Sequence, residues 1–198
     1  MNLYDFDRTI YKHDCVMKFY FFYLRHHIVY FWHLFYLIPF TIAFIFRIIN
    51  LTRLKEHLLL PFRYSKDLQA EIKTFWDREE KNIYPYYQAI KKGNDVICSA
   101  SPRFILKEIV TRINPTATLI CSEVNPKTMK FEKSELNNKG ENKVAKLNSL
   151  GLTKFEKGYS DSNSDIPMLR LCDEKFKVKH GKVLPFDGKY FDNTTSKS

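Results

Sequence analysis

Apolar residues are concentrated in one block near the start of the chain. From residue 16 to residue 49 the sequence is strongly apolar, and within this block residues 28–46 form a run of 19 residues without a formal charge. As one helix this run would be about 28 Å long, close to the roughly 30 Å hydrocarbon core of a membrane. The pattern predicts a helical segment that either contacts a membrane or packs inside the protein.

The rest of the chain shows shorter helical and strand patterns. Residues 68–76 carry apolar side chains at helical spacing, with Ser65 as a candidate N-cap and Asp67 in the first turn. Short apolar stretches then predict strands within 95–102, 117–124, 155–160 and 176–178, with helices at 103–113, 142–150 and 166–172. Strands that alternate with helices are typical of a parallel sheet built from crossover units, so the predicted fold class is α/β.

The composition excludes several classes of protein. A chain of 198 residues suits one domain, or one domain with an inserted cap, and a hydrophobic fraction of 44% excludes a disordered chain. The four cysteines are dispersed, which argues against a disulfide scaffold or a zinc site and favours a reducing cytoplasm. Residues 1–10 do not have the pattern of a signal peptide. The net charge of +10 predicts an anionic partner: a phosphate ester, a nucleic acid or an acidic membrane surface.

Two carboxylates lie close together at the start of the chain. Asp5 and Asp7 are two residues apart at the end of the first predicted strand. At strand spacing their side chains point the same way, so both can serve one site. In an open α/β sheet such a site lies at the carboxyl ends of the strands.

Further polar groups follow the later predicted strands. They are two serines after the second strand, lysines at a helix start and two aspartates four residues apart in a loop: Ser99, Ser101, Lys139, Lys143, Asp161 and Asp165. Taken singly, each has an ordinary structural explanation as a turn, a solvated helix face or a helix cap. Their order along the chain is more specific than any of them alone.

This ordered set resembles the four motifs of the haloacid dehalogenase superfamily. Aspartates at the first strand, a serine at the second, a lysine and then an acidic loop match that pattern over residues 3–180. The arrangement is similar to the phosphoserine phosphatase branch, subfamily IB. Within that branch, residues 159–165 and the Gly-Glu-Asn-Lys-Val stretch at 140–144 look closest to phosphatidylglycerophosphatase C and its relatives.

The resemblance implies a Rossmann-like parallel sheet with an inserted helical cap. Residues 1–12 and 90–186 would form the catalytic core, and residues 13–89 would form the cap, with its membrane-contacting part at about 16–49. Residues 187–198 would be a polar tail.

The resemblance also implies a role for each motif residue. Asp5 would be the nucleophile that forms an aspartyl-phosphate, and Asp7 would be the general acid and base. Mg²⁺ would be held by Asp5, Asp161 and the backbone carbonyl of Asp7. Ser99 would bind the phosphoryl group, Thr9 would fix the loop, and Ser101 would support the site. Asp165 would orient the lysine or a metal-bound water.

Two lysines compete for the catalytic position. In the phosphoserine phosphatase pattern the lysine precedes the glycine, which indicates Lys139; in the lipid phosphatase pattern it follows the Gly-Glu pair, which indicates Lys143. We favour Lys143, because the fourth motif also resembles that of the lipid phosphatases. Arg8 departs from the superfamily pattern, since a glycine is common at this position.

The apolar run cannot be one simple transmembrane span. A single crossing would place Asp5 on one side of the membrane and Ser99 and Asp161 on the other. We therefore expect a re-entrant or interfacial hairpin that breaks near Pro39. Basic residues flank the run and are expected to meet anionic headgroups: Arg25, His26, His27, Arg47, Arg53 and Lys55. The alternative to membrane contact is an apolar helical cap that packs on the catalytic domain.

Together these observations predict a Mg²⁺-dependent phosphomonoesterase at the cytoplasmic face of the cell membrane. The expected substrate is a lipid phosphate such as phosphatidylglycerophosphate. The alternatives are a soluble cytoplasmic phosphatase of phosphoserine or another small metabolite, and a non-enzymatic membrane-associated interaction protein. Nucleic acid is not expected as a partner, because the aromatic residues form an apolar block and are not interleaved with basic ones. The sequence does not indicate the oligomeric state.

Overall fold

A six-stranded sheet forms the centre of the molecule in the computed structural model, which describes residues 1–133 and 137–186. In chain order the strands are β1 Leu3–Tyr4, β2 Val96–Pro102, β3 Thr118–Ser122, β4 Phe155–Ser160, β5 Cys172–Lys179 and β6 Lys182–Pro185. Their order in the sheet is β3-β2-β1-β4-β5-β6; β1 to β5 run parallel and β6 is antiparallel. The predicted α/β fold class is confirmed.

Helices cover the sheet and form the insertion between β1 and β2. The insertion contains α1 Cys15–His26, α2 His33–Ile45, α3 Leu51–Leu59, α4 Leu68–Glu79 and α5 Pro85–Ile90, with short 3-10 helices at Ile28–Trp32 and Leu60–Tyr64. The crossover helices are α6 Arg103–Ile113, α7 Glu141–Ser149 and α8 Ile166–Leu169. Within the described residues, every predicted crossover helix is present, close to its expected place.

The first strand is short but central. Leu3 pairs with Val96 of β2 on one side and with Gly158 of β4 on the other. Because the chain order reverses on the two sides of β1, its carboxyl end is the topological switch point, where open α/β sheets bind ligands. Asp5 follows this strand directly.

Three predicted boundaries are wrong in detail. Asp67, and not Ser65, caps α4, since its carboxylate accepts from the Ala70 amide at 3.0 Å. The helix expected at 166–172 ends at Leu169, because Cys172 already pairs with Phe155 of β4. The strand expected at 176–178 is the middle of the longer β5, and β6 after it was not predicted. The polar tail at 187–198 lies outside the described residues.

The inserted helices share one hydrophobic core with the sheet. Phe19 of α1 packs against Phe75 of α4, and Trp76 packs edge-on against Phe6, just after β1. The indole nitrogen of Trp76 donates to the carbonyl of Ile105 in α6 at 2.8 Å. Part of the insertion therefore packs into the same hydrophobic core as the sheet, and much of its aromatic content is buried there.

The apolar run remains on the surface. The stretch Ile28–Ile45 is 18 residues long with a mean hydropathy of 1.9, none of its residues is buried, and it is the one helical stretch among the described residues long and apolar enough to cross a membrane. The expected break at Pro39 is wrong: α2 continues through this residue. The chain turns back between α2 and α3, where Arg47 adopts a left-handed φ of 59°. His57 of α3 stacks on Phe40 of α2 at 3.6 Å, so the two helices form a hairpin.

Candidate active site

A cavity of about 400 Å³ opens at the carboxyl ends of β1 and β4. One part of its wall is charged and is formed by Asp5, Asp7, Asp161, Asp165 and Lys143. The opposite part is apolar and is formed by α1 and α3, through Val16, Met17, Leu51, Leu54 and Leu58. The cavity therefore combines a polar end with an apolar wall supplied by the insertion.

Lys143 links the first and last motifs. Its ammonium group donates to Asp5 Oδ1 at 2.6 Å and lies 2.9 Å from Asp165 Oδ1, and the residue is 1% exposed. Burial alone would lower the pKa of Lys143, but the charges of Asp165 and Asp5 outweigh it and raise this pKa above its usual range. Lys143 is therefore a permanent cation beside Asp5.

Asp5 is held by both the sheet and the lysine. Its amide donates to the carbonyl of Tyr159 in β4 at 2.9 Å, which extends the parallel pairing beyond β1. Burial raises the pKa of Asp5 well above its usual range, Lys143 opposes this rise, and the neighbouring carboxylates add to it. Asp5 can be a nucleophile once the surplus negative charge around it is neutralised.

Asp7 has a different environment. Its Oδ1 accepts from the Cys15 amide at 2.7 Å and its Oδ2 accepts from the Ser101 hydroxyl. Burial, followed by the charge of Asp14, raises the pKa of Asp7, whereas the bonds from Ser101 and Cys15 lower it. A carboxyl group with a raised pKa can hold a proton and release it, as a general acid requires.

The acidic loop after β4 is tied to the first motif. The Asp161 amide donates to the buried Thr9 hydroxyl at 3.1 Å, and Asp165 accepts from the Ser160 hydroxyl at 2.7 Å. Burial raises the pKa of Asp161 to about 6, against the opposing charge of Arg8. The first and fourth motifs thus meet across neighbouring strands.

Two of the expected residues lie apart from these contacts. Ser99 is fully buried, its hydroxyl accepts from the Ser101 amide at 3.1 Å, and among the described residues it is Ala100 and Ser101 that reach the cavity wall. Lys139 lines the cavity, but the contact with Asp5 is made by Lys143. The roles of Ser99 and Lys139 stay predictions.

Arg8 occupies a strained position. Its φ is 57°, in the left-handed region that glycine adopts freely. A side chain there costs roughly 1 kcal/mol. This strain explains why a glycine suits the turn. The Arg8 side chain lines the cavity.

Sequence reasoning missed one cavity residue and misplaced another. Asp14 caps α1, accepting from the Met17 amide at 2.9 Å, and its side chain also lines the cavity. Lys55 was expected at the membrane surface, but its side chain points into the cavity. The signal for Lys55 was available, because Leu51, Leu54 and Leu58 share its helix face and should have indicated a buried wall.

The donor set suits a hard cation. Asp5 and Asp161 present carboxylates to one cavity, and burial raises the pKa of both, so added positive charge would stabilise their ionised forms. Among the residues that the structure describes, no three Asp, Glu, His or Cys side chains form a metal site by themselves. The predicted Mg²⁺ site needs only two carboxylates, because its third protein ligand is the backbone carbonyl of Asp7.

Solved structures with this fold come from several bacteria. A protein of unknown function from Bordetella pertussis Tohama I has a TM-score of 0.69 at 16% identity, over 86% of this chain and 85% of that chain. A phosphoserine phosphohydrolase-like protein from Francisella tularensis subsp. tularensis SCHU S4 has a TM-score of 0.54 at 13% identity, over 88% and 84%. Phosphoserine phosphatase with a phospho-aspartyl intermediate analogue has a TM-score of 0.50 at 14% identity, over 88% and 83%. At these identities the similarity shows the fold.

The sequence supplies the family. No curated protein sequence matches the chain. Residues 3–170 match the family model of haloacid dehalogenase-like hydrolases, a range that runs from β1 through the acidic loop to the end of α8 and includes every motif residue of the cavity. Because this match covers most of the chain, the protein belongs to the haloacid dehalogenase-like hydrolase family of enzymes.

Proposed function

We propose that this enzyme hydrolyses phosphate monoesters through an aspartyl-phosphate on Asp5. The observation that carries the proposal is the convergence of Asp5, Asp7, Asp161 and Lys143 on one cavity at the end of the central strand. Phosphoryl transfer needs a nucleophile and neutralised charge, and here Asp5 can supply the first and Lys143 part of the second.

The reaction has two steps. A carboxylate oxygen of Asp5 attacks phosphorus, the bond from phosphorus to the ester oxygen breaks, and Asp7 donates its proton to the departing oxygen. Asp7 then accepts a proton from water as the water oxygen attacks phosphorus, which releases inorganic phosphate and regenerates Asp5. Lys143 keeps Asp5 oriented and neutralises part of the charge. Mg²⁺, bound by Asp5, Asp161 and the Asp7 carbonyl, would neutralise the phosphoryl oxygens.

We further propose that the substrate is a membrane lipid phosphate. The cavity has an apolar wall on α1 and α3, which suits the beginning of an acyl chain or a glycerol backbone. The face of α3 around His57 packs against α2, whose apolar side chains are exposed; Phe35, for example, is 65% exposed. An apolar hairpin beside the cavity would hold the enzyme at the cytoplasmic membrane surface, where such a substrate lies.

A soluble phosphatase of phosphoserine type is the second candidate. The fold similarity to phosphoserine phosphatase favours it. In that case the exposed apolar hairpin would need a protein partner to cover it. We favour the lipid, because α1 and α3 give the cavity an apolar wall and the hairpin beside it exposes large apolar side chains.

The decisive experiment is a substrate panel with Mg²⁺ in detergent micelles. It compares phosphatidylglycerophosphate, phosphoserine and an aryl phosphate in the native chain and in Asp5→Asn. We expect phosphate release to be fastest with the lipid and to be lost in Asp5→Asn. Faster hydrolysis of phosphoserine would overturn the lipid proposal. No release from any substrate would leave the non-enzymatic interaction protein as the better description.

A further inference from the structure

Two lysines outside the catalytic contacts face the same cavity. Lys55 reaches it from α3 of the insertion, and Lys139 reaches it from the loop before α7. The Lys55 ammonium donates to the carbonyl of Ala100 and to Asn137 Oδ1, both at 3.0 Å. Asn137 also donates to Thr52 Oγ1 at 2.9 Å, so α3 is docked on the core and Lys55 is held in place.

The charges of this pair are only partly balanced by the nearest carboxylates, Asp7 and Asp14, which raise the pKa of Lys55 less than burial and Lys139 lower it. Both acceptors of Lys55 are neutral oxygens, and within residues 1–133 and 137–186 neither Lys55 nor Lys139 forms an ion pair. Burial, followed by the charge of Lys139, lowers the pKa of Lys55 to about 8, so it is mostly protonated at neutral pH. Two cations therefore repel each other across part of the cavity wall.

The acidic residues of the cavity are committed elsewhere. Asp5 and Asp165 contact Lys143, Asp7 accepts from Ser101 and Cys15, and Asp14 caps α1. A ligand anion placed between Lys55 and Lys139 would relieve their repulsion and gain two charge-assisted hydrogen bonds. The phosphomonoester itself is expected at Asp5, so these lysines are available for a different group.

We propose that Lys55 and Lys139 bind a second anionic group of the substrate, a phosphodiester carried next to the phosphomonoester that Asp5 attacks. This inference rests on the proposed function and narrows the substrate class. Among lipid phosphates it selects those with both a diester and a monoester, such as phosphatidylglycerophosphate, over phosphatidate, which has only the monoester. A carboxylate near the monoester, as in phosphoserine, has the same charge but comes from a soluble substrate.

The test measures kcat/KM for phosphatidylglycerophosphate, phosphatidate and phosphoserine in the same mixed-micelle buffer, with the 198-residue chain and Mg²⁺. The variants are Lys55→Met, Lys139→Met and the conservative Lys55→Arg, and the control is Lys73→Met, an exposed lysine of α4 away from the cavity. We expect the native enzyme to prefer the diester lipid. Each Met variant should lower the ratio of kcat/KM for phosphatidylglycerophosphate to kcat/KM for phosphatidate about tenfold, mainly through KM, since it removes one charge-assisted hydrogen bond to the diester. Lys55→Arg should retain most of the preference, and Lys73→Met should retain all of it.

Several results would overturn the inference without touching the proposed function. One is equal hydrolysis of both lipids by the native enzyme. Another is an equal loss on both lipids in Lys55→Met and Lys139→Met, since a purely structural or catalytic role would lower both rates together. A third is a loss of activity that is confined to phosphoserine in Lys55→Met and Lys139→Met. That result would indicate that the two lysines bind a carboxylate. Hydrolysis of phosphoserine but of neither lipid would overturn the lipid proposal as well.

Discussion

The ammonium group of Lys143 lies 2.6 Å from Asp5 Oδ1, across 138 positions of sequence. It also lies 2.9 Å from Asp165 Oδ1, so one buried cation connects the start of the chain with the loop after β4. Lys139, four residues earlier in the sequence, contacts neither Asp5 nor Asp165 in the part of the chain that the structure describes. This relationship distinguishes the two candidate lysines by experiment.

Replacing Lys143 should abolish turnover. Lys143→Met leaves Asp5 and Asp165 buried without a cation, so we expect activity on an aryl phosphate to fall on the order of 10³-fold. Removing one partner of a buried ion pair should also cost about 3 kcal/mol of stability. Phosphate release and thermal unfolding measure the two effects. Lys139→Met should lose less than about tenfold on the same substrate and unfold at the native temperature. The reverse pattern would assign the catalytic role to Lys139.

Mg²⁺ should stabilise the fold, and more so at neutral than at acidic pH. A carboxyl group whose pKa is raised by folding makes the metal-free protein less stable as pH rises through the shifted pKa, here about 6 for Asp161. A bound cation offsets this loss of stability, but below pH 6 protons compete with the cation for Asp161. At 100 times its dissociation constant Mg²⁺ should add about 2.7 kcal/mol at pH 7.5, and clearly less at pH 5. Differential scanning fluorimetry measures this.

Asp161→Asn is the matching control for the metal. It should be more stable than the native chain without Mg²⁺ at pH 7.5, because it removes a buried charge near Asp165, and it should respond little to added Mg²⁺. A Mg²⁺ response equal to that of the native chain would contradict the assignment of Asp161 as a ligand.

The exposed apolar hairpin should control membrane binding. Phe35→Glu combined with Ile42→Glu places two charges on the unburied face of α2, where the native side chains are 65% and 49% exposed. We expect co-sedimentation with anionic vesicles to fall at least tenfold, since each buried large apolar side chain contributes roughly 1.5–3 kcal/mol. Stability should not change. Leu150→Glu, an exposed apolar position after α7, is the control that should still bind vesicles. If the native protein does not co-sediment with the vesicles at either low or high salt, the soluble phosphatase is the better description.

Gly158 should be intolerant of any side chain. A Cβ at this position of β4 would lie 2.5 Å from Cys172 Sγ and 2.8 Å from Leu169 Cδ2. We expect Gly158→Ala to destabilise the protein by about 1–3 kcal/mol in urea unfolding. Gly93→Ala, whose Cβ would meet only the Thr116 side chain, should cost less. Adding Cys172→Ala to Gly158→Ala should restore part of the loss; if it does not, the steric explanation is wrong.

The alternation of short strands and helices was enough to predict the sheet and the meeting of its motifs. Asp5 and Asp161 both follow parallel strands, and the carboxyl ends of parallel strands share one edge, so their convergence follows from local pattern and topology. The boundary errors at Ser65 and Leu169 came from hydrogen bonds and strand pairing that a local pattern does not contain.

The directions of the lysine side chains depend on helix orientation and burial, so only the tertiary structure decided them. Lys139 and Lys143 are four residues apart, and the placement of α7 after the turn at Gly140, whose φ is 58°, directs Lys143 to Asp5. Lys55 resembled a surface charge until α3 docked on the core and turned it into the cavity. By itself the sequence predicted that four aspartates and a lysine serve a phosphoryl site. The structure decided which cations line the cavity, because the direction of a side chain depends on contacts with residues far away in sequence.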